Sequence, residues 1–234
     1  MKSTQRDIVV LVHGLGRSPR SLLAVRFCLW REGYKVVSVR YPSLRVTVQQ
    51  AVDDYLVPAL AKLRPARGTK VHFVTHSLGG ILFRAWAEKR APSFPLGRTV
   101  MLGPPNQGSE ILAQLGKHPW LRRIFGPVVD ELGVDENSTP CRLGAVPPGT
   151  GVIMGNRPMI PFFRDLLGPE SDGIVTVAGG WVIGQADFLV AAADHTFMMW
   201  RPTILNALKR FLKKGSFIAD GEWSMDDRLA PASP

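Results

Sequence analysis

Hydrophobic positions along the chain follow two alternating rhythms. Ile8-Val-Val-Leu-Val12 is an unbroken apolar run, as expected of a strand buried on both faces of a parallel sheet. Ser18-Pro19 then opens a helix, with serine as N-cap, proline in the first helical position and Gly33 as the stop. Leu22, Leu23, Phe27 and Trp30 are expected to form its inward face. Lys35 to Arg40, carrying Val36, Val37 and Val39, reads as the next strand. Thr47-Val-Gln-Gln50 has capping-box spacing, and Val48, Val52, Tyr55, Leu56 and Leu63 continue at helical intervals. Pro58 is expected to kink or shorten that helix, because its ring clashes with the carbonyl of Asp54. Lys70 to Thr75 is a third strand, Leu78 to Arg90 a third helix, and Arg98 to Leu102 a fourth strand running into Gly103-Pro-Pro-Asn-Gln-Gly108. Strands alternating with helices at this pitch predict an α/β fold, a mostly parallel sheet with right-handed crossovers and helices on both faces.

The rhythm breaks from Ser109 to about Pro148. Ile111, Leu112, Leu115, Leu121, Ile124, Phe125, Val128, Val129 and Leu132 suggest one or two short amphipathic helices there, interrupted by Gly116 and Pro119. Gly151 to Gly155 resumes the sheet and Ala186 to Ala192 supplies a last strand. Pro202 to Lys214 closes the fold, with Ile204, Leu205, Leu208, Phe211 and Leu212 on one face and Gly215 after it. Its last turn carries Lys209, Arg210, Lys213 and Lys214, which suits the negative end of the helix dipole. Residues 1–215 read as a single domain and 216–234 as a polar, loosely held tail.

Composition adds bounds. With 234 residues, 45% of them apolar and 21% charged, the chain can bury a core without disulfides or metal. Its first long apolar run, Ile8 to Val12, is far below the roughly 20 residues needed to cross a bilayer. It is also too short for a secretory signal, so the expected compartment is the cytoplasm. Cys28 and Cys141 stand in unrelated contexts, which suggests two free thiols and no zinc site. Lys plus Arg exceed Asp plus Glu by 29 − 19 = 10. Such an excess attracts anions, including phospholipid head groups. No basic run interleaved with aromatics marks a nucleic-acid binder.

The segment that carries chemistry is Val71-His-Phe-Val-Thr-His-Ser-Leu-Gly-Gly80. A buried strand runs into one serine, followed by two glycines and a helix. This pattern lets a serine stand on a sharp strand-to-helix turn, with the amide groups of the helix start beside it. A serine here also suits a plain helix N-cap.

The chain resembles the α/β-hydrolase superfamily, and within it the lipase-like serine esterases. Three further stretches carry the likeness: Val12-His-Gly-Leu-Gly16, Ser171-Asp-Gly173 and Asp194-His-Thr196, in the order Ser…Asp…His from residue 7 to about 214. Thr75 stands where the usual G-x-S-x-G has its first glycine, which reads as a tighter turn. The resemblance implies Ser77 as nucleophile, His195 as base and Asp172 as the group that orients it. Asp165 and Glu170 are the nearest substitutes for Asp172, which also suits an ordinary turn. Backbone N–H groups of Leu15 and Leu78 would form the oxyanion hole. Gly103 to Ser109 resembles the loop that lipase-like members carry there, leading into residues 109–148 as a small helical cap. Trp120, Leu121 and Phe125, with Phe162 and Phe163, would line an acyl pocket, although ordinary core packing is the competing reading of these side chains.

The implied reaction is metal-free and cofactor-free cleavage of a carboxylic ester through an acyl-enzyme. The substrate would be a small-molecule acyl ester or lipid, and an anionic membrane surface a place of work. An acyltransferase or thioesterase would use the same triad, and a non-catalytic binding protein the same scaffold.

Overall fold

The computed structural model describes residues 6–90, 92–159, 167–168 and 170–218. Among the described residues six strands form one sheet: β1 (Ile8–Val12), β2 (Lys35–Val39), β3 (Val71–His76), β4 (Leu96–Leu102), β5 (Thr150–Gly155) and β6 (Asp187–Ala191). Their spatial order is β2-β1-β3-β4-β5-β6, and every neighbouring pair is parallel. All C-terminal strand ends therefore share one edge, which is where an open α/β sheet gathers its functional loops.

The continuous apolar runs are explained by burial on both faces. Ile8, Val10 and Val12 of β1 face one core, with Phe73 of β3. Val9 and Leu11 face the other, with Val74, Val100 and Ile153. The first core is covered by α2 (48–61) and α3 (Leu78–Lys89), through Val52, Leu56, Ile81 and Trp86. The second is covered by α1 (Leu23–Arg31, after a 3₁₀ turn at Pro19–Leu22) and the C-terminal helix (Pro202–Lys214).

Two expectations change on inspection and one is refined. In α1 the buried row is Leu22, Val25 and Leu29, whereas Leu23, Phe27 and Trp30 are exposed. Pro58 distorts α2 as expected, but through a widened turn, and the helix stops soon after, at Ala61. The stretch Ala51–Leu56 widens to a π-helix, in which Val57 N–H bonds back five residues to Val52, and the helix runs on as Val57–Ala61. The wider turn places the proline where its missing N–H and bulky ring are tolerated. The tail is held at its start: Phe217 is buried and stacks on Phe211 at 4.5 Å, and its N–H donates to Asp187 at 2.7 Å. The rest of the tail, 219–234, lies outside the described residues. The Thr47 capping box is present in both directions.

Residues 109–148 form short pieces: α4 (Glu110–Gly116), α5 (Pro119–Phe125), a 3₁₀ stretch Pro127–Glu131 and one turn at Thr139–Arg142. One tie to the body runs through Leu143. Arg84 of α3 is buried, not part of the basic surface, and donates to the carbonyls of Asn106 (2.9 Å) and Leu143 (2.7 Å). Burial pushes its guanidinium down to about 10. Among the described residues no helix is long and apolar enough to cross a membrane.

Candidate active site

Ser77 follows the last residue of β3 and precedes the first of α3. Its φ of 53° is the only positive value at a non-glycine among the described residues. Such a backbone stores on the order of 1–3 kcal/mol of strain and persists only when the surroundings fix it. Two bonds do so: Ser77 N–H donates to Leu102 at 2.9 Å, and its carbonyl accepts from Gly80 at 2.8 Å.

The glycines around the turn each answer a close approach. A Cβ on Gly79 would lie 2.4 Å from the Val12 carbonyl oxygen, so α3 can sit against the end of β1 only without a side chain. A Cβ on Gly80 would meet Met101 and Pro104 at 3.0 Å. Thr75 is fully buried beside Gly80, which leaves room for it. The departure from the usual motif is thus accommodated within the turn.

His195 Nε2 lies 3.0 Å from Ser77 Oγ, and His195 Nδ1 lies 2.6 Å from Asp172 Oδ2. All three residues are buried or nearly so. A carboxylate only accepts, so Nδ1 carries the proton and Nε2 presents its lone pair to the serine hydroxyl. The other Asp172 oxygen accepts from Ile174 N–H (2.9 Å) and Val175 N–H (2.8 Å). The main chains are joined too, with His195 N–H donating to the Asp172 carbonyl at 2.9 Å. Behind the pair stands Gly103, at φ 54°, where a Cβ would lie 3.0 Å from Asp172 Oδ2 and 3.1 Å from His195 Nδ1. Asp194 is turned to its own loop, accepting from Thr196 and Phe197 N–H. Asp165 lies outside the described residues, and Glu170 is exposed.

The loop after β1 abuts the serine. A Cβ on Gly14 would lie 2.9 Å from Ser77 Cβ and 3.0 Å from His76 Nδ1. Leu15, half-buried, follows in this loop, and Leu78 opens α3. Residues not singled out by sequence hold this loop. Tyr41 Oη donates to the His13 carbonyl at 2.6 Å and its ring stacks on His13 at 4.3 Å, while Gly16 N–H donates to Ser43 Oγ at 3.0 Å. Their signal is position: Tyr41-Pro-Ser43 leaves β2 on the same sheet edge, next to β1. His76 adjoins the nucleophile in sequence, but its role is not visible there. Its Nε2–H donates to the His195 carbonyl at 2.9 Å, and burial holds its pKa well below the ordinary histidine value, so the ring is neutral. Trp120 is 64% exposed and Phe125 half-buried, so this part of the expected acyl lining is open to solvent, not enclosed. The side chain of Leu121, and Phe162 and Phe163, fall outside what is described. Among the described residues no three His, Cys, Asp or Glu side chains gather as a metal site requires.

Residues 9–233 match the sequence profile of the alpha/beta hydrolase family. The chain belongs to that family. No curated protein sequence matches this alpha/beta hydrolase. Among solved structures it resembles the mature lipase BlEst2 of Bacillus licheniformis, at 20% identity and a TM-score of 0.66, over 85% of this chain and 89% of that one. It also resembles the metagenomic carboxyl esterase MGS0156, at 19% identity and a TM-score of 0.66, over 90% and 76% of the two chains. Phospholipase PlaB of Legionella pneumophila shares 22% identity at a TM-score of 0.59, over 86% of this alpha/beta hydrolase and 56% of PlaB. At these identities the likeness establishes a common fold.

Proposed function

We propose that this alpha/beta hydrolase cleaves carboxylic esters by a serine mechanism, with Ser77, His195 and Asp172 as its triad. The observation that carries the reading is the chain of contacts from Ser77 Oγ through the His195 ring to Asp172, at 3.0 and 2.6 Å, behind a serine held in a strained turn. His195 Nε2 takes the hydroxyl proton as Ser77 Oγ attacks the acyl carbon. The N–H groups of Leu15 and Leu78 receive the oxyanion, which they stabilise more than the ground-state carbonyl. His195 then gives its proton to the departing alcohol oxygen, leaving an acyl-serine. Water enters, loses a proton to His195 and attacks the acyl carbon. Collapse returns that proton to Ser77 Oγ and releases the acid.

Phe125, half-buried in 109–148, offers an open apolar wall that favours an acyl chain over a charged acid. The lipase, esterase and phospholipase among the structural neighbours support an ester of this kind. Lipid esters reside at membrane surfaces, and the excess of ten positive charges suits an anionic one. Labelling with a fluorophosphonate tests the reading. The wild type should take one adduct on Ser77, and Ser77→Ala none. An unlabelled wild type, or an undiminished adduct on Ser77→Ala, defeats it.

A further inference from the structure

Helix α1 and the 3₁₀ turn that leads into it carry two interleaved apolar rows. One, Leu22, Val25 and Leu29, is buried against the sheet. The other, Leu23, Phe27 and Trp30, stands at i, i+4 and i+7 on the outside, 48%, 58% and 61% exposed. The Phe27 and Trp30 rings lie 5.9 Å apart, and the Arg31 guanidinium sits 5.9 Å over Phe27. Single exposed apolar side chains are ordinary, but a contiguous row of three large ones on one helix marks an interaction surface.

We propose that this row docks the protein on an anionic phospholipid bilayer. The proposal takes its biological sense from the ester reading, while its physical basis is independent of it. Charge selects the occupant. Between residues 17 and 31 every charged side chain is an arginine (Arg17, Arg20, Arg26 and Arg31), and all four are exposed or partly so. Leu, Phe and Trp flanked by arginines is the chemistry of a helix lying in the head-group region, with rings at the acyl boundary and guanidinium groups on phosphates. The same charges argue against a second copy, since a two-fold pairing of this face would set the arginines against their own images. Position agrees as well. α1 leads out of the loop that abuts Ser77, and the turn Met198–Trp200, which packs on α1 a few residues after His195, is flanked by exposed Phe197 and ends in exposed Trp200. A bilayer on this side lies next to the loop carrying Gly14.

Vesicle co-sedimentation tests this with phosphatidylcholine alone and with phosphatidylcholine mixed with phosphatidylglycerol. Wild type should prefer the mixed vesicles by about tenfold or more at low ionic strength, with the preference fading as salt screens it. Phe27→Ser with Trp30→Ser should weaken partitioning by about tenfold or more, and Arg26→Glu with Arg31→Glu by roughly fivefold or more per residue. Both double variants should hydrolyse a soluble p-nitrophenyl ester like wild type, which shows they are folded. Wild type left in the supernatant, variants that bind as well as wild type, or a wild-type dimer that Phe27→Ser with Trp30→Ser makes monomeric, overturns the proposal. Ser77→Ala should bind vesicles undiminished. A protein inert toward esters that still docks removes the hydrolase reading and supports this one.

Discussion

Replacing Asp172 by asparagine exchanges one oxygen for an NH2 group, and the neighbours dictate which way that group points. Oδ1 of Asp172 accepts from two backbone amides, at 2.9 and 2.8 Å. In Asp172→Asn the amide oxygen must stay there, because an NH2 group in its place would face two donors. The NH2 group therefore points at His195 Nδ1, which now lies 2.6 Å from Oδ2. An amide NH2 only donates. His195 must accept on Nδ1 and carry its proton on Nε2, facing Ser77 Oγ, where a base needs a lone pair. The expected loss in kcat is about 10⁴-fold, or roughly 5.5 kcal/mol of transition-state stabilisation, as in other triads whose acid is replaced this way. The turn keeps its two amide bonds, so the thermal midpoint should move by no more than a few degrees. Steady-state hydrolysis of p-nitrophenyl butyrate beside a thermal melt reads both quantities. A folded variant retaining activity within about tenfold of wild type refutes the assignment, as does a greater loss from Asp165→Ala.

The same geometry sets other outcomes. Gly14→Ala puts a methyl 2.9 Å from Ser77 Cβ and 3.0 Å from His76 Nδ1. It should cost about 10²-fold in kcat/KM by displacing the serine, with the melt little changed; wild-type kinetics would contradict it. Arg84→Met leaves the Asn106 and Leu143 carbonyls without their donor, and urea unfolding should show a loss of about 3 kcal/mol; under about 1 kcal/mol would mean the tie is dispensable. Acid should unfold the protein early. Burial lowers the pKa of His13, His72 and His76, and Asp7 beside His72 offsets part of that. The unfolded chain therefore binds more protons below about pH 6.5, and stability present above that pH is lost as pH falls toward the folded values. Each histidine contributes up to about 1.4 kcal/mol per pH unit, so urea midpoints should drop clearly between pH 7.5 and 5.5. Equal midpoints would show these rings to be protonated or solvated in the native state.

What the sequence makes legible is what burial makes unambiguous. Strands covered on both faces read as continuous runs, so Ile8–Val12 and Val71–His76 stand out, and with them the turn at Ser77. Ser77 and His195 are recognisable because each follows a strand at one sheet edge, Asp172 is recognisable only through the family order Ser…Asp…His, and the structure brings the three together. α1 is different. Leu22, Val25 and Leu29 recur at helical spacing, but so do Leu23, Phe27 and Trp30, and periodicity alone does not say which row meets the sheet. The π-helical stretch before Pro58 is hidden because residue propensities carry no signal for one widened turn. The roles of Tyr41, Ser43 and His76 are hidden because their partners are backbone atoms, and any residue type supplies those.

His195 and Asp172 are coupled twice, through main chain and side chain, whereas the serine meets them through a single contact. His76, the residue before Ser77, also holds the His195 carbonyl, so the imidazole is pinned from the serine turn as well as from Asp172, and a displacement of either loop is felt at both of its ring nitrogens.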